Sequence, residues 1–508
     1  MFAANGWSSD SDVNYSLYQQ KDGSGLTLGW HLVTPDGATE KYNAIGKILS
    51  RTKANGASQS YSYDANDLLI KVTDNFGHSL NFTYNASGQM ATMADPSGNV
   101  TRYSYDASGN LKTVTYPDDT PADLTNNPKK TYVYGSDAGE TVNTAGVSQP
   151  NALTGIIDEN GVRLATYKYD GNGKAISTEH AGATEKYSLA YAPDGTSTAV
   201  TDPLNSVRTT HFTTVLGVVK PTGTDQPGGS GCAAATSAMT YDANGNVASR
   251  TDFNGHKVCY AYDMARNLET ARVEGLTSVA DCAANLAATT LPAPARKVST
   301  SWHASYRLPL KVAGPKLLTA YTRDASGNVL TKAEQATTDL SGVAGLTPTI
   351  APGSTARTWA YTYSTLGQVL TANGPRTDVS DITTATYYPG TDPVLGNRGN
   401  IKDITNAVGQ KAVYNSYDGN GRATQITAPN GVVTTMAYTP RGWLKTLTVK
   451  DSANALNQTT SYGYDPTGLL KTVTAPDGSV LTYGYDPAHR LTSITDSLGN
   501  KATYTLDN

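Results

Sequence analysis

Tyrosines recur at a fixed interval of 21 residues, and that interval governs what the chain can fold into. Tyr42, Tyr63, Tyr84 and Tyr105 are successive members, and the spacing returns at Tyr241/Tyr262, Tyr417/Tyr438 and Tyr464/Tyr485. A glycine stands four residues after many of them (Gly46, Gly88, Gly109, Gly245, Gly421, Gly468). A second stands fourteen after (Gly77, Gly98, Gly255, Gly431, Gly478, Gly499). Aspartate directly follows the tyrosine at Tyr63-Asp64, Tyr105-Asp106, Tyr169-Asp170, Tyr241-Asp242, Tyr262-Asp263, Tyr417-Asp418, Tyr464-Asp465 and Tyr485-Asp486. A period of this size marks stacked supersecondary units, none of which can bury its own apolar face alone.

The offsets have a mechanical meaning. In Tyr105-Asp106-Ala107-Ser108-Gly109-Asn110 the aspartate can accept from the backbone two residues on, and the glycine supplies the positive φ that closes the turn. Asp95-Pro96-Ser97-Gly98-Asn99 marks a second turn. Two turns per 21 residues leave two strands of ordinary length. The strand into each tyrosine alternates (Leu80, Phe82, Tyr84; Val258, Tyr260, Tyr262), which places both rings of Tyr61/Tyr63, Tyr103/Tyr105 and Tyr483/Tyr485 on one face. The other strand has apolar residues six and nine after the tyrosine (Leu69/Val72, Leu491/Ile494). That odd difference reads as a bulge or as burial on both faces. The expected fold is all-β: tandem hairpins in one continuous sheet wound into a solenoid, spiral or barrel-like wall.

Composition supports the repeat. There are 32 Tyr against 5 Phe. Stacked units set tyrosine beside tyrosine, where cross-strand aromatic pairs stabilise a sheet by roughly 0.2–1 kcal/mol each. The hydroxyl is expected where water or a turn carboxylate reaches it. Length alone, 508 residues, gives a prior of about three to four domains. The repeat replaces that with a capping or continuing β segment over 1–41, where Trp7 and Trp30 stand, and one array over 42–508. Loop insertions are expected near 117–160, 220–238, 275–297 and 333–357, the third with one short helix.

Several classes fall away. With 39 basic and 43 acidic residues the net charge is −4, which excludes a basic nucleic-acid surface and a polybasic membrane anchor. No apolar run is long enough for a transmembrane helix. The N-terminus lacks the basic and apolar regions of a signal peptide, and its abrupt start reads as that of a fragment. The stop at Asn508, in mid-register, reads as a sheet that continued. Cys232, Cys259 and Cys282 form no C-x-x-C zinc spacing; one disulfide with a spare thiol is open, and three separate thiols is the favoured reading.

Enzyme signatures are missing: H-E-x-x-H, G-x-S-x-G and the phosphate-binding G-x-x-x-x-G-K-[ST] do not occur. Gly229-Ser230-Gly231 reads as linker. The histidines (His31, His78, His180, His211, His256, His303, His489) are scattered, and His78 and His256 share one repeat position, which reads as surface. Asp242-Ala243-Asn244-Gly245-Asn246 has a faint calcium-loop look, but Phe253 stands where the twelfth-position glutamate belongs, so turn chemistry is the better account. Recurring aspartates sit in identical environments, whereas an acid/base pair needs two different ones. No cofactor or metal is expected.

The unit Tyr-x-Tyr-Asp-x-x-Gly-[Asn/Arg]-[Leu/Val], with Thr-Asp-x-x-Gly-[Asn/His] about ten residues on, resembles the YD repeat of the bacterial Rhs family, which also occurs in teneurins and in insecticidal toxin-complex shells. The clearest stretches are 61–116, 239–268 and 461–503. Ser301-Trp302-His303-Ala304-Ser305-Tyr306-Arg307-Leu308-Pro309 resembles a degenerate unit with Trp302 in the tyrosine position. The resemblance implies a sheet that spirals into a hollow shell around a C-terminal toxin. The family's self-cleavage motif, P-x-x-x-x-D-P-x-G, is absent: no Asp-Pro pair (Asp95-Pro96, Asp202-Pro203, Asp392-Pro393, Asp465-Pro466, Asp486-Pro487) has proline five residues before the aspartate.

The expected function is therefore a non-catalytic, cargo-enclosing shell segment of a secreted or surface Rhs-type toxin. Its partners would be the rest of its own chain and the enclosed toxin, with no nucleic acid and no membrane span. An extracellular carbohydrate-binding or adhesion module is the alternative, in which the Tyr-Asp units touch glycan. A polysaccharide hydrolase is the third reading.

Overall fold

The computed structural model describes residues 2–3, 6–7, 10–121, 123–143, 145–229, 231–451, 453 and 455–507. Ser230 and Asn508, and with them part of the linker and chain-end readings, lie outside the described residues, as does the side chain of Trp7. The strands Phe2–Ala3 and Gly6–Trp7 pair only with each other. From Ser16–Lys21 to Lys501–Thr503, 39 strands follow in an antiparallel meander, each bonded to its neighbours in sequence. No ladder joins the first of these strands to the last among the described residues, so the sheet is open.

The hairpins closed by the Tyr-Asp turns share one irregularity. Tyr63 lies opposite Leu69 while Ser62 lies opposite Lys71, so Ile70 is left over as a bulge. The same shift occurs at Tyr105/Leu111, Tyr438/Leu444 and Tyr485/Leu491. The bulge consumes one residue, which puts Leu69 and Val72 on the face of Tyr61 and Tyr63. The odd interval in the sequence is therefore a bulge and not burial on both faces. One face carries Tyr, Leu, Val and Phe; the other carries residues such as Ser62, Lys71, Asn81 and Thr83. On that polar face hydroxyls bond across strands, as Thr83 with Thr92 and Thr322 with Thr331.

The wall is mostly one sheet thick, so the tyrosine face stays half-buried. The exception is a small core of Cys259, Val273, Leu276 and Ala295 on the face opposite Tyr260 and Tyr262. The expected short helix, Cys282–Ala287, packs over it. Asp281 caps that helix by accepting from the Ala284 N–H at 2.7 Å. A disulfide between Cys259 and Cys282 staples the insertion to the sheet, and Cys232 is free. This corrects the favoured reading of three separate thiols: the insertion folds back and brings the two Cα atoms to 5.3 Å, within bridging range. The segment 117–160, expected as long loops, also holds the sheet strands Lys129–Tyr134 and Leu153–Ile157.

The sheet coils over itself. The turn at 74–78 meets the segment 395–400, and the turn at 95–98 meets that at 418–421. Counting from Ser79–Tyr84 to Ile382–Tyr387, or from Val100–Tyr105 to Lys411–Tyr417, one circuit takes 23 strands. At about 4.8 Å per strand a round circuit measures about 110 Å, hence about 35 Å across from backbone to backbone. The described chain makes somewhat over one and a half circuits.

Candidate functional site at the turn rim

The predicted Tyr-Asp units do not gather in one cleft. They line one rim of the sheet, whole hairpins apart, each at the end of a strand and half-buried. The aspartate does what the sequence predicts. Asp106 Oδ1 accepts from the Ser108 and Asn110 N–H groups, both at 2.9 Å, and Gly109 takes φ 84°. Asp64, Asp170, Asp242, Asp418 and Asp486 accept in the same way. Asp263 keeps only the first bond, from Ala265. At Asp242 this is turn chemistry, with Asn246 Nδ2 donating back to the carboxylate at 2.9 Å.

The tyrosine does something the sequence reading missed. In the Tyr-Asp units its hydroxyl donates to a backbone carbonyl of the preceding hairpin and not to a turn carboxylate. Tyr84 Oη reaches the Leu69 carbonyl at 2.7 Å, Tyr105 that of Met90 at 2.9 Å, Tyr485 that of Leu470 at 3.0 Å. Fourteen tyrosines bond in this way, including all eight of the Tyr-Asp pairs. The acceptor belongs in nearly every case to the residue opposite the previous tyrosine, at the bulge, where the ladder is disrupted. Trp302 takes the position with an indole N–H, donating to Glu269 O at 2.8 Å, and Arg323 with its Nε, donating to Pro309 O at 3.2 Å. The 21-residue offset combined with a polar ring is the signal that could have revealed this.

These environments set the proton affinities. Burial, with Glu269 nearby, pushes the Tyr262 phenol up to about 12, and burial beside Tyr414 and Tyr388 does the same for Tyr417. Burial pushes the Asp465 carboxyl up, but hydrogen bonds from Thr467, Asn160 and the Leu469 backbone outweigh it and leave it below its ordinary value. Asp486 is likewise lowered: burial is outweighed by the Arg490 backbone N–H and guanidinium.

Where one circuit meets the next, the Tyr-Asp rim of the later circuit faces the opposite rim of the earlier one. This seam is polar. Asn420 donates to Asp95 at 2.7 Å, Asn160 to Asp465 at 3.0 Å, and Lys445 pairs with Asp119 at 2.8 Å. Arg441 pairs with Glu159 at 3.0 Å, where the glutamate side chain is only 2% exposed, and its guanidinium lies between the rings of Tyr116 and Trp443. Gly399, at φ 72°, lets the Phe76 ring sit against its backbone; a Cβ would collide with that ring. Two of the scattered histidines are seam residues: His78, whose repeat position read as surface, contacts Leu395, and His489 contacts Asp158. His256, in the same repeat position as His78, is exposed.

Clefts open along the seam. One of about 350 Å³ is lined by Trp443, Tyr462, Tyr464, Asp118, Asp119 and Lys445. Another, of about 390 Å³, gathers Asp158, Asp465 and Asp486 from non-equivalent hairpins, with Lys471 and His489. Each of these carboxylates is committed to a turn or a seam contact. Among the described residues no group of His, Cys, Asp and Glu is arranged to hold a metal, and no helix is long and apolar enough to cross a membrane.

The RHS Repeat family model matches residues 42–79, 84–121, 417–455 and 464–501. These four stretches are RHS repeats. The hydroxyl-to-carbonyl ladder runs on through the hairpins outside those matches, from Tyr169 to Tyr387. Among solved structures, the chain is similar to a Photorhabdus luminescens Tc holotoxin pore, at 13% identity and a TM-score of 0.52, covering 96% of this chain and 26% of that one. It is also similar to a TcdB2–TccC3 structure without the hypervariable C-terminal region, at 12% identity and a TM-score of 0.52, again covering 96% and 26%. The RHS-repeat chain thus spans about a quarter of the length of the structures it matches, and the likeness is one of fold. A search of curated proteins gives no match.

Proposed function

We propose that the chain is a wall segment of a shell around a polypeptide cargo, a non-catalytic scaffold within a secreted or surface-exposed bacterial toxin of the Rhs type. The observation that carries this reading is the coil: a sheet one layer thick whose circuits meet rim to rim around a space about 35 Å wide between backbones. Such a wall can surround a chain without a core of its own. The likeness in fold to parts of the Tc holotoxin pore and TcdB2–TccC3 structures supports it. The partners are then the remainder of the same polypeptide and a toxin segment inside the coil. Electron microscopy of the natural full-length product, with limited proteolysis, tests the reading. Protease-resistant density inside the coil is expected; an empty coil, with no toxin segment elsewhere in the gene product, overturns it.

A second reading, an extracellular carbohydrate-binding module, rests on the cleft of Trp443, Tyr462 and Tyr464 beside Asp118 and Asp119. Aromatic faces next to carboxylates suit sugar rings. The rim tyrosines fit this role less well, because their hydroxyls are already spent on carbonyls. A glycan array on folded protein without a hit counts against it. A polysaccharide hydrolase fits worst: Asp465 and Asp486 share a cleft, but both are held ionised, and neither is poised as a general acid.

A further inference from the structure

His78 sits between two acceptors that belong to different circuits of the coil. Its Nδ1 lies 2.8 Å from Asp74 Oδ2 in its own turn, and its Nε2 lies 2.9 Å from the Leu395 carbonyl across the seam. The Asp74 carboxylate is fixed in place, because its other oxygen accepts from the Phe76 and His78 N–H groups at 2.8 and 2.9 Å. A carboxylate and a carbonyl can only accept. A neutral imidazole has one N–H and satisfies one of the two; the imidazolium has two and satisfies both. The other charged group lining this cleft is Arg398, held by the Asp392 carbonyl at 2.7 Å and directed at the Phe76 carbonyl.

We propose that His78 is a proton-sensitive latch on the seam. With both nitrogens protonated it ties the circuits together at Leu395. With one N–H, the ring divides its time between the local carboxylate and the seam, and the seam loosens. The closed seam therefore takes up a proton, so it is tighter at acid pH and opens more readily as pH rises through the range in which imidazoles titrate.

Two other histidines lack this pair of acceptors. His489 bonds Asp158 across the seam through Nε2 at 2.8 Å. His256 has the same repeat position and a looser pairing with Asp252 at 3.5 Å, but it is exposed, with no cross-seam acceptor among the described residues. The second acceptor is what the seam adds at His78. The inference rests on the coil alone and holds whichever function the coil serves.

Backbone hydrogen exchange of the full chain tests it, read on peptides covering 74–80 and 392–400 at about pH 5.5 and about pH 8 and corrected for intrinsic exchange. The expected result is about fivefold less frequent opening at the lower pH, the equivalent of one hydrogen bond. That difference should vanish in His78→Gln, which keeps a donor but cannot titrate. Equal opening at both values, or a difference that survives His78→Gln, overturns the proposal. If His78→Gln does not fold, Asp74→Asn keeps the turn acceptor and removes the carboxylate. The pH difference should then shrink, and an unchanged difference overturns the proposal.

Discussion

Tyr84 Oη donates to the carbonyl of Leu69 at 2.7 Å, bridging one hairpin to the one before it at the bulge opposite Tyr63. Phenylalanine would pack in the same place and take the hydroxyl donor away from that carbonyl. Tyr84→Phe should destabilise the chain by about 1–3 kcal/mol, the cost of a half-buried acceptor that loses this donor. Tyr483→Phe, two residues before a rim tyrosine and with no hydroxyl partner among the described residues, should change stability by less than about 0.5 kcal/mol. Urea denaturation of the two variants side by side checks the contrast.

Trp302 gives a second form of the same experiment. Trp302→Phe removes the indole N–H that caps Glu269 and should cost about as much as Tyr84→Phe, whereas Trp302→Tyr should restore part of the loss. Equal stability of the Phe and Tyr variants, measured by thermal unfolding, would argue that ring volume alone matters there.

Arg441 is the seam's buried cation. Arg441→Ala leaves Glu159 almost fully buried without its closest partner and should weaken the seam by up to about 3–5 kcal/mol. Adding Glu159→Gln should recover part of that loss. Hydrogen exchange over 115–120 and 158–162 reads the local effect, and the double-mutant cycle separates the pair from the packing of Tyr116 on the guanidinium.

Alkali should attack the tyrosine ladder. The phenols of Tyr262 and Tyr417 are raised to about 12 in the folded chain against an ordinary 10. A raised value means their contribution is complete below about pH 10 and is lost as pH rises toward about 12. Near-ultraviolet tyrosine absorbance followed with circular dichroism should show ionisation and loss of strand signal together in that window. Free titration of all tyrosines near pH 10 with the sheet intact would contradict the ladder.

Reduction of the Cys259–Cys282 disulfide should act locally. The bridge closes a segment of 23 residues, so its loss should expose the helix Cys282–Ala287 while the hairpins on either side stay protected. Exchange before and after a thiol reductant, with Cys282→Ala as the permanent form, measures this.

The parts of this fold legible in the sequence are those set within one hairpin. Asp106 and Gly109 specify their turn by chemistry that spans five residues, and the interval between Leu69 and Val72 offered the bulge as one of two readings. The seam was not legible. Whether His78 meets Leu395 while His256 meets solvent depends on the curvature of 23 intervening strands, and no local pattern distinguishes the two positions. The same holds for Cys259 and Cys282, which pair because an alanine-rich insertion folds back on the sheet. The destination of the tyrosine hydroxyl lies between these cases. The spacing placed Tyr84 correctly, but its acceptor is backbone, which a reading of side-chain identities passes over.

A circuit of 23 strands has a consequence for how such chains can change length. Opposite rims meet at the seam, so the strand count of a circuit must stay odd. Gain or loss of whole hairpins respects that parity, each adding or removing about 10 Å of girth, or about 3 Å of width. Loss of a single strand does not respect it. Like a cooper choosing staves in pairs, duplication of a 21-residue unit resizes the vessel while every joint still meets its proper counterpart.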